Sequence, residues 1–470
     1  MISDFKETRS GFRYLTLDGT RDLVAIQKKD PEQFPFLLDS SSHGPNSRYS
    51  ILFGLPGDDL LLAANGELQK NGNVIMGDFL GTLDDDFQQL QIAAAGPDTP
   101  LFPFTGGWFV FLSYELVQET EPSRKRKTAT WHDRGGLPVA RATRVPLAFI
   151  VDHRNRTTSV IAEDRLDHTR IELALKALAR PEPADGQPTV VVRQLHEEPP
   201  TRYLDAIRRT RQYIRDGDIF QANLSRLWQA QVGETTTPFD IYQRLRTTNP
   251  APFSGLALFG NNTAVISSSP ERLVNVTGRI VSTRPIAGTH PRGATSETDR
   301  TLSRRLLRHP KERAEHIMLV DLERNDLGRV CEPGSVEVPE LMALETYAHV
   351  HHIVSEVTGK LAAGRRPVDV IRAVFPGGTI TGCPKVRCME IIDELEQCAR
   401  GAYTGSMGYI NRDGSMDLNI LIRTLVQNGT QITFRAGGGI VADSEPAREL
   451  NETRAKARGM LRALGKECQQ

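Results

Sequence analysis

Apolar residues recur at three- and four-residue intervals in the C-terminal half of the chain, which predicts amphipathic helices. One such pattern begins at Arg202 and ends near residues 216–218. Two more follow Pro310 and Pro384, and proline is favoured in the first turn of a helix. A last helix is expected to be capped by Asp443 or Ser444, which precede Pro446. Its predicted buried face consists of Leu450, Ala457, Leu461 and Leu464.

The N-terminal part has a different pattern, with short apolar runs separated by turns rich in Gly, Asp and Asn. Residues 49–53 and 145–151 are typical of strands, and few segments show helical spacing. The chain then becomes rich in proline and polar residues. We therefore predict a β-rich N-terminal subdomain at 1–180, a connector at 181–200 and a second subdomain at 201–470.

Composition and charge exclude several classes of protein. Lys plus Arg and Asp plus Glu each number 58, so no basic field is available to hold a nucleic acid. The most apolar stretch, residues 101–117, is interrupted by polar residues that a membrane would not accept. Asp and Glu appear at once at the N-terminus, unlike in a signal peptide, and the five cysteines lack a CxxC spacing. We expect a folded cytoplasmic protein with no nucleic-acid or membrane partner.

Two pairs of glutamates stand at helical spacing in the C-terminal part. Glu312 and Glu315 follow Pro310, and Glu449 and Glu452 lie in the last predicted helix together with Lys456. Two helices could each present a carboxylate pair to one Mg²⁺, which prefers oxygen ligands. Either pair alone is more typical of a solvated helix face, since charged pairs at this spacing are common.

Other residues are suited to bind an anion or to transfer a proton. Gly437, Gly438 and Gly439 follow an apparent strand, so their amides could approach a carboxylate, although a simple turn is the alternative. Arg423 could bind a carboxylate, and His352 is either an acid–base group or a structural histidine. Glu271 would have a raised pKa if it is buried. Neither GxGxxG nor a P-loop occurs, which disfavours a nucleotide ligand.

Taken together, these segments resemble the chorismate-utilising enzymes, which include anthranilate, aminodeoxychorismate, isochorismate and salicylate synthases. Residues 35–41, 48–52 and 104–115 match that family more loosely. The strong matches are GDIFQANLSR (217–226), SSSPERLV (267–274), TRPIAGTHPRG (283–293), ERAEHIMLVDLERNDLGRV (312–330), VHHIVS (350–355), FPGGTITGCPKVRCMEIIDELE (375–396), MGYINRDGSMDLNILIRT (407–424), AGGGIVADS (436–444) and ETRAKA (452–457).

The resemblance implies an α+β fold with large antiparallel β-sheets packed as a sandwich and helices outside, and it implies a role for each matching residue. Mg²⁺ would be held by Glu315 and Glu449, with Glu312 and Glu452 nearby. Glu271 would protonate the departing 4-hydroxyl of chorismate, and His352 is linked to pyruvate elimination. The enolpyruvyl carboxylate would be held by Arg423, Tyr409 and the amides of Gly438 and Gly439. Thr381, Gly382, Ile422 and Lys456 would line the same pocket.

Three regions bear on the branch of the family. Gln221 stands where isochorismate and salicylate synthases have a Lys that activates water, which favours ammonia as the nucleophile. Ala287 stands where aminodeoxychorismate synthases have a nucleophilic Lys, and so resembles anthranilate synthases. Asn223 and the segments 251–254 and 376–378 resemble the aminodeoxychorismate branch. We therefore predict amination of chorismate to 4-amino-4-deoxychorismate without a covalent lysine adduct, and anthranilate formation is the alternative.

The resemblance also implies partners. The chain has no Gly-x-Cys-x-Gly nucleophile segment, so ammonia would come from a separate glutamine amidotransferase subunit in a heterodimer. Leu38, Asp39 and Ser40 resemble the element that holds tryptophan in regulated members, which makes them a candidate tryptophan pocket.

Overall fold

Two large antiparallel sheets contain the strands of this protein, and helices cover their outer faces. The computed structural model describes residues 4–42, 47–93, 101–122, 136–178, 188–260, 262–292, 295–308, 310–346 and 350–466, with Ala287 and Glu312 described at the backbone only. The predicted α+β class with packed antiparallel sheets is confirmed. Within the described residues, no helix combines the length and apolarity that a membrane span requires.

The described strands are β1 (Lys6–Glu7), β2 (Phe12–Asp18), β3 (Phe36–Asp39), β4 (Tyr49–Gly54), β5 (Asp59–Leu62), β6 (Leu68–Lys70), β7 (Asn73–Ile75), β8 (Gly107–Leu112), β9 (Ala140–Val145), β10 (Leu147–Asp152), β11 (Thr157–Glu163), β12 (Val192–Glu197), β13 (Gln221–Val232), β14 (Phe253–Leu258), β15 (Thr263–Ser269), β16 (Arg272–Thr277), β17 (Ile280–Thr283), β18 (Ile286–Pro291), β19 (Glu337–Thr346), β20 (Val350–Lys360), β21 (Gly382–Cys383), β22 (Ser406–Asn411), β23 (Met416–Asn419), β24 (Thr424–Asn428) and β25 (Gln431–Ile440). The described α-helices are α1 (Leu23–Lys29), α2 (Phe79–Leu90), α3 (Val117–Thr120), α4 (His168–Leu178), α5 (Pro200–Arg215), α6 (Pro238–Thr248), α7 (Ser296–Arg308), α8 (Pro310–Gly328), α9 (Pro367–Val374), α10 (Lys385–Glu396) and α11 (Pro446–Ala463).

Each sheet joins a block of strands from the N-terminal part of the chain to a block from the C-terminal part. The first sheet has the order β1-β2-β11-β10-β4-β3-β14-β15-β24-β25-β13-β12, with β21 beside β13. The second has the order β18-β20-β17-β16-β23-β22-β8-β9-β5-β6-β7, with β19 beside β20. The two predicted subdomains therefore share both sheets, through the pairs β3–β14 and β8–β22. The proposed division at 181–200 remains a prediction about the sequence, and β12 lies within that range.

Aromatic side chains fill the space between the two sheets. The rings of Phe36 from the first sheet and Phe109 from the second stack with their centroids 4.0 Å apart. Phe53, Phe111 and Met407 belong to the same buried cluster. Separate apolar clusters lie on the outer faces, where α6 and α11 cover the first sheet and α2 and α9 cover the second. The arrangement is thus a sandwich with helical layers outside.

The predicted helices are present, and one predicted cap is wrong. The patterns that begin at Arg202, Pro310 and Pro384 correspond to α5, α8 and α10. Helix α11 begins at Pro446 with Glu445 at its N-cap, so neither Asp443 nor Ser444 caps it. The Ser444 hydroxyl instead accepts a hydrogen bond from the Val441 amide, 3.1 Å away, because the chain turns before the helix begins. The predicted buried face of α11 is confirmed.

Two segments, one apolar and one rich in glycine, have a different structure from the one that their sequence pattern predicts. Residues 145–151 are not one strand, because β9 and β10 lie in different sheets and the chain crosses between them at Pro146, which cannot donate a ladder hydrogen bond. Gly437, Gly438 and Gly439 do not follow a strand but form the end of β25, where they pair with β13. The turn that we considered for these glycines is therefore excluded.

Candidate active site

A cavity of about 1150 Å³ lies where the ends of β13 and β25 meet α8 and α11. Most of the residues that the sequence analysis selected line this cavity, although they come from distant parts of the chain. They are Gln221, Glu271, Glu315, His352, Ile422, Arg423, Gly437, Gly438, Gly439, Glu449, Glu452 and Lys456. The cavity is large enough for a drug-sized metabolite.

Thr381 and Gly382 stand behind the cavity wall rather than on it. The Thr381 carbonyl accepts a hydrogen bond from the Asn223 amide at 2.9 Å, and Gly382 pairs with Ala222. A Cβ placed on Gly382 would lie 2.1 Å from the Gln221 carbonyl oxygen, so this position requires glycine. From the same loop, Thr379 and Ile380 line the cavity, and the sequence analysis did not select them.

Tyr409, which we expected to help bind a carboxylate, does not line the large cavity. It packs between the sheets against Phe53 and Phe104, with ring centroids 6.2 and 5.7 Å away. It lines a second cavity of about 230 Å³ together with Leu38, Asp39 and Ser40. Tyr403, which no sequence signal distinguished from Tyr409, lines the large cavity instead.

For Ala287 and Glu312 the structure describes the position of the backbone only. Ala287 pairs with Ile353 on β20, immediately beside His352. Glu312 lies in the first turn of α8, one turn before Glu315. Both backbones are therefore near residues that line the large cavity, His352 and Glu315.

Glu271 is a buried carboxyl group whose surroundings favour the protonated form. Burial raises its pKa to about 7, against the opposing influence of the Thr379 hydroxyl, the Ile286 amide and the charges of Arg423 and Lys456. The Thr379 hydroxyl donates to Glu271 Oε1 at 2.9 Å. A carboxyl group that titrates near neutrality can donate a proton at the pH at which an enzyme works.

His352 is neutral near physiological pH. Burial lowers its pKa to about 3, and the positive charge of Arg423 and the neighbouring His351 act in the same direction. A neutral imidazole can accept a proton or a hydrogen bond, but it does not supply an imidazolium acid. His352 and Glu271 thus have opposite proton-transfer roles available to them.

Arg423 and Lys456 supply positive charge to the cavity, which is also lined by Gly437–Gly439 of β25, here called the glycine strand. Arg423 has a left-handed backbone with φ of 52°, a strained conformation for a non-glycine residue that is often associated with function. Burial lowers the pKa of its guanidinium, which the carboxylate of Glu271 partly offsets. Lys456 donates to the Gly437 carbonyl oxygen at 2.9 Å and pairs with Glu452 at 2.9 Å.

The glutamates on α8 and α11 have carboxylate oxygens, which are suitable ligands for a hard cation such as Mg²⁺. Glu315 of α8 and Glu449 of α11 both line the cavity, and carboxylate oxygens are the ligands that Mg²⁺ prefers. Among the side chains that the structure describes, no three acidic, histidine or cysteine groups converge to form a metal cluster. The carboxylate groups of Glu315 and Glu449 therefore fit Mg²⁺ in donor type.

Two residues at the start of β13 line the cavity and have buried side-chain amide atoms without a hydrogen-bond partner in the described structure. Gln221 and Asn223 are only 5 and 6% exposed. Gln221 Oε1 has no hydrogen-bond donor in the described structure, and Asn223 Nδ2 has no acceptor there. Because buried polar groups are nearly always satisfied in native proteins, each of these atoms has a hydrogen-bonding capacity that the described residues do not use.

Comparison with known proteins agrees with this site. The family model described as "chorismate binding enzyme" matches residues 46–462, which is most of the chain. The chain belongs to the chorismate-binding enzyme family. All of the residues that line the large cavity, apart from Ser41 and Ser42, fall within the matched range.

Relatives of this chorismate-binding enzyme have two different names. Anthranilate synthase component 1 of Thermus thermophilus is 40% identical over 438 residues, which cover 91% of this chain and 92% of that protein. Aminodeoxychorismate synthase component 1 of Bacillus subtilis is 51% identical over 262 residues, 56% of this chain and 55% of that protein. The crystal structure of anthranilate synthase component I from Streptococcus pneumoniae superposes with a TM-score of 0.77 at 34% identity, covering 89% and 93% of the two chains.

The smaller cavity of this chorismate-binding enzyme contains the residues selected as a tryptophan pocket. Asp39 is buried, and its carboxylate accepts hydrogen bonds from Ser50 at 2.7 Å and Tyr242 at 2.8 Å. It also pairs with Arg246, which lines the large cavity, at 3.3 Å. One carboxylate therefore stands between the two cavities.

Proposed function

We propose that this chain is the chorismate-aminating component of an aminodeoxychorismate synthase and forms 4-amino-4-deoxychorismate for 4-aminobenzoate and folate synthesis in the cytoplasm. The observation that carries the proposal concerns two side chains, Gln221 and Asn223, which line the same cavity as Glu271. Gln221 Oε1 and Asn223 Nδ2 have no hydrogen-bond partner in the described structure. Gln221 Oε1 can accept an N–H of ammonia, whereas an amide is too weak a base to activate water. The 51% identity to an aminodeoxychorismate synthase component supports the branch.

Each step of the reaction has a residue suited to it. Arg423 and the amides of Gly438 and Gly439 would bind the enolpyruvyl carboxylate, with Lys456 and Ile422 beside them. Ammonia bonds to ring carbon 2, the double bonds shift, and the carbon 4–oxygen bond breaks as Glu271 gives its proton to the departing hydroxyl, which leaves as water. A second ammonia then bonds to carbon 4 and expels the first. The balance is one chorismate plus one ammonia to one 4-amino-4-deoxychorismate and one water.

We propose Mg²⁺ as the cofactor, held by Glu315 and Glu449 with Glu312 and Glu452 nearby. A bound Mg²⁺ would anchor the ring carboxylate and withdraw electrons from the ring. Glu452 is also paired with Lys456, which links the proposed metal side of the cavity to the glycine strand. The two helices would thus orient the ring with its 4-hydroxyl toward Glu271.

Because Ala287 occupies the position of the nucleophilic Lys, no covalent enzyme adduct forms in this proposal. Intact-mass measurement during turnover tests it directly, with the Ala287→Lys variant as a matched positive control for a covalent species. We expect the wild-type chain to keep its unmodified mass. A chorismate-derived adduct on the wild-type chain would overturn this mechanism.

Anthranilate formation is the second candidate, and specific observations favour it. Ala287 resembles the anthranilate synthases, and the relative from Thermus thermophilus matches over almost its whole length. The neutral His352 beside the backbone of Ala287 could remove a ring proton as pyruvate departs. The two candidates differ in the carbon that retains nitrogen and in the fate of the enolpyruvyl group.

Product analysis by mass spectrometry distinguishes the two candidates. The purified chain is incubated with chorismate, Mg²⁺ and ammonium at high pH, without a partner. We expect a product that retains the enolpyruvyl group and that an added lyase converts to 4-aminobenzoate. Fluorescent anthranilate with released pyruvate would instead establish the second candidate.

We further propose two binding partners. A glutamine amidotransferase subunit would supply ammonia in a heterodimer, because the chain has no glutaminase nucleophile segment of its own. Tryptophan would bind beside Leu38, Asp39 and Ser40 in the smaller cavity. A rise in melting temperature with tryptophan, lost in Ser40→Trp, is expected; an unchanged melting temperature would argue against the pocket.

A further inference from the structure

Loop 375–384, which joins α9 to α10, forms one wall of the large cavity. Its Thr379 hydroxyl donates to Glu271 Oε1 at 2.9 Å. Its Thr381 carbonyl accepts from the Asn223 amide at 2.9 Å, and its Ile380 carbonyl accepts from Arg400 at 3.2 Å. The position of this loop therefore decides how the proposed general acid is hydrogen-bonded.

A buried lysine that directly follows the loop contacts the residue that precedes it. Lys385, the first residue of α10, forms an ion pair with Asp326 near the end of α8. Its ammonium also lies 3.4 Å from the carbonyl oxygen of Val374, the last residue of α9. The Lys385 and Asp326 side chains are only 8 and 7% exposed. The Lys385 ammonium group, at the start of α10, thus contacts both the end of α9 and the end of α8.

Helix α8 also contacts the middle of the loop. A Cβ placed on Gly378, the neighbour of Thr379, would lie 2.6 Å from Leu322 Cδ2 and 3.2 Å from Glu323 Oε1. The helix and loop are therefore packed without room for one methyl group. A shift of the loop relative to α8 would move Thr379 with it.

We propose that the Asp326–Lys385 ion pair is a positioning pair, which closes the base of loop 375–384 against α8 and so holds the Thr379 hydroxyl on Glu271. The inference deepens the proposed function, because it rests on Glu271 as the proton donor. It adds three residues outside the cavity lining, Asp326, Lys385 and Gly378, whose effect on the reaction is indirect.

The charges around Glu271 predict the sign of the effect. Arg423 and Lys456 lower its pKa, as does the hydrogen bond from Thr379. From α8 it faces Glu323, whose own pKa burial raises to about 8, with the charge of Asp326 acting in the same direction. Loss of the Thr379 hydrogen bond removes one of the influences that favour the charged form. The pKa of Glu271 should therefore rise when the loop is released.

The test is the pH dependence of kcat for chorismate consumption by the full chain, at constant free ammonia. Thr379→Val removes the hydrogen bond directly and should move the alkaline limb upward by about one pH unit. The double variant Asp326→Asn/Lys385→Met removes both charges without leaving either unpaired, and it should move the limb in the same direction. Adding Thr379→Val to the double variant should give no further shift, since both changes break one hydrogen bond.

Two further arms separate positioning from stability and from the proposed function. Gly378→Ala displaces the loop from α8 without exposing a charge, so it should reproduce the shift even if the double variant does not fold. If Thr379→Val moves the limb while the folded double variant and Gly378→Ala leave it unchanged, the positioning proposal is wrong. If Thr379→Val itself moves nothing, the proposed role of Glu271 fails, and the positioning proposal fails with it.

Discussion

The chemistry of the site depends on single residues whose surroundings, rather than identities, determine what they do. Glu271 and Glu315 are both glutamates that line one cavity. Glu271 lies where burial raises its pKa to about 7, whereas Glu315 lines the cavity from α8, as Glu449 does from α11. The first is suited to release a proton and the second to bind a cation.

Replacement of Glu271 by Gln tests the acid role. We expect at least a roughly hundredfold loss of kcat, the usual contribution of a positioned general acid. The wild-type carboxyl releases its proton at higher pH when folded than when unfolded, so the free energy of unfolding falls as pH rises from about 4.5 through about 7. The variant lacks this loss, and we expect it to be more stable than wild type at pH 8 by about 3 kcal/mol.

Urea unfolding at pH 5 and pH 8 together with initial rates measures both effects. Equal pH dependence of stability in the wild-type and Gln chains would contradict the raised pKa. Thr263→Val changes a buried residue that has no titratable group and lies outside the cavity lining, so it is the control for burial effects alone.

At this scale the sequence predicted most of the cavity but not its exact lining. It selected Thr381 rather than Thr379 and Tyr409 rather than Tyr403. Each pair has the same residue type close together in the chain. The depth to which a loop side chain reaches depends on the loop's path, which the residue pattern does not contain.

At the scale of elements, buried ionic contacts fasten strands to helices behind the site. Glu396 at the end of α10 pairs with Arg400 at 2.8 Å and with Arg435 of β25 at 3.1 Å. Although burial alone would raise it, the two guanidinium groups hold the pKa of Glu396 below its usual range. The Arg400 guanidinium also donates to the carbonyl oxygens of Ile380 and Asn223.

Glu396→Gln should therefore lower the free energy of unfolding by about 3–5 kcal/mol, because two buried guanidinium groups lose their counter-charge. The matched control is Asp205→Asn, which breaks an exposed pair with Arg208 and should have no measurable effect. Chemical denaturation at pH 7 measures both. Similar losses in the two variants would show that burial does not govern the effect.

The glycine strand provides a second prediction about an element. A Cβ on Gly439 would lie 2.3 Å from Gln221 Nε2, whereas one on Gly438 would first meet the flexible end of Lys456 at 3.4 Å. Gly439→Ala should displace Gln221 and reduce kcat with ammonium by roughly ten- to a hundredfold, and Gly438→Ala should reduce it less. Steady-state rates with thermal unfolding as a folding check decide this, and the reverse order would contradict it.

The sequence predicted the helices better than the ends of strands and helices. Proline in the first turn marks the start of α8 and α11, and an apolar stripe defines the buried face of α11. The Gly437–Gly439 segment was misplaced because glycine is typical of turns, whereas here a neighbouring strand and side chain require the absence of a Cβ. Such a requirement arises from tertiary packing.

At the scale of the whole molecule, neither half of the chain contains a complete sheet. Strand β14 pairs with β3, and β22 pairs with β8. The sequence indicated the antiparallel class through its resemblance to a family, but strand order depends on contacts between residues hundreds of positions apart. Local periodicity does not encode these pairings.

A chain restricted to residues 201–470 should therefore fail to fold alone, since it would expose the edges of β14 and β22. We expect little protection from hydrogen exchange and no cooperative thermal transition, in contrast to the full chain. Addition of a separately produced 1–200 segment should restore a transition if the halves complement each other. A cooperative transition in the isolated C-terminal segment would show that it is an independent domain.

The pairing of β3 with β14 also has a consequence for biosynthesis on the ribosome. The N-terminal strands emerge first, and β3 and β8 must wait for β14 and β22, the last of which begins at Ser406. During that interval the nascent chain displays two unsatisfied strand edges and the aromatic face around Phe36 and Phe109. Slow synthesis or scarce chaperones should therefore reduce the yield of this protein through aggregation of its N-terminal half, even when the finished enzyme is stable.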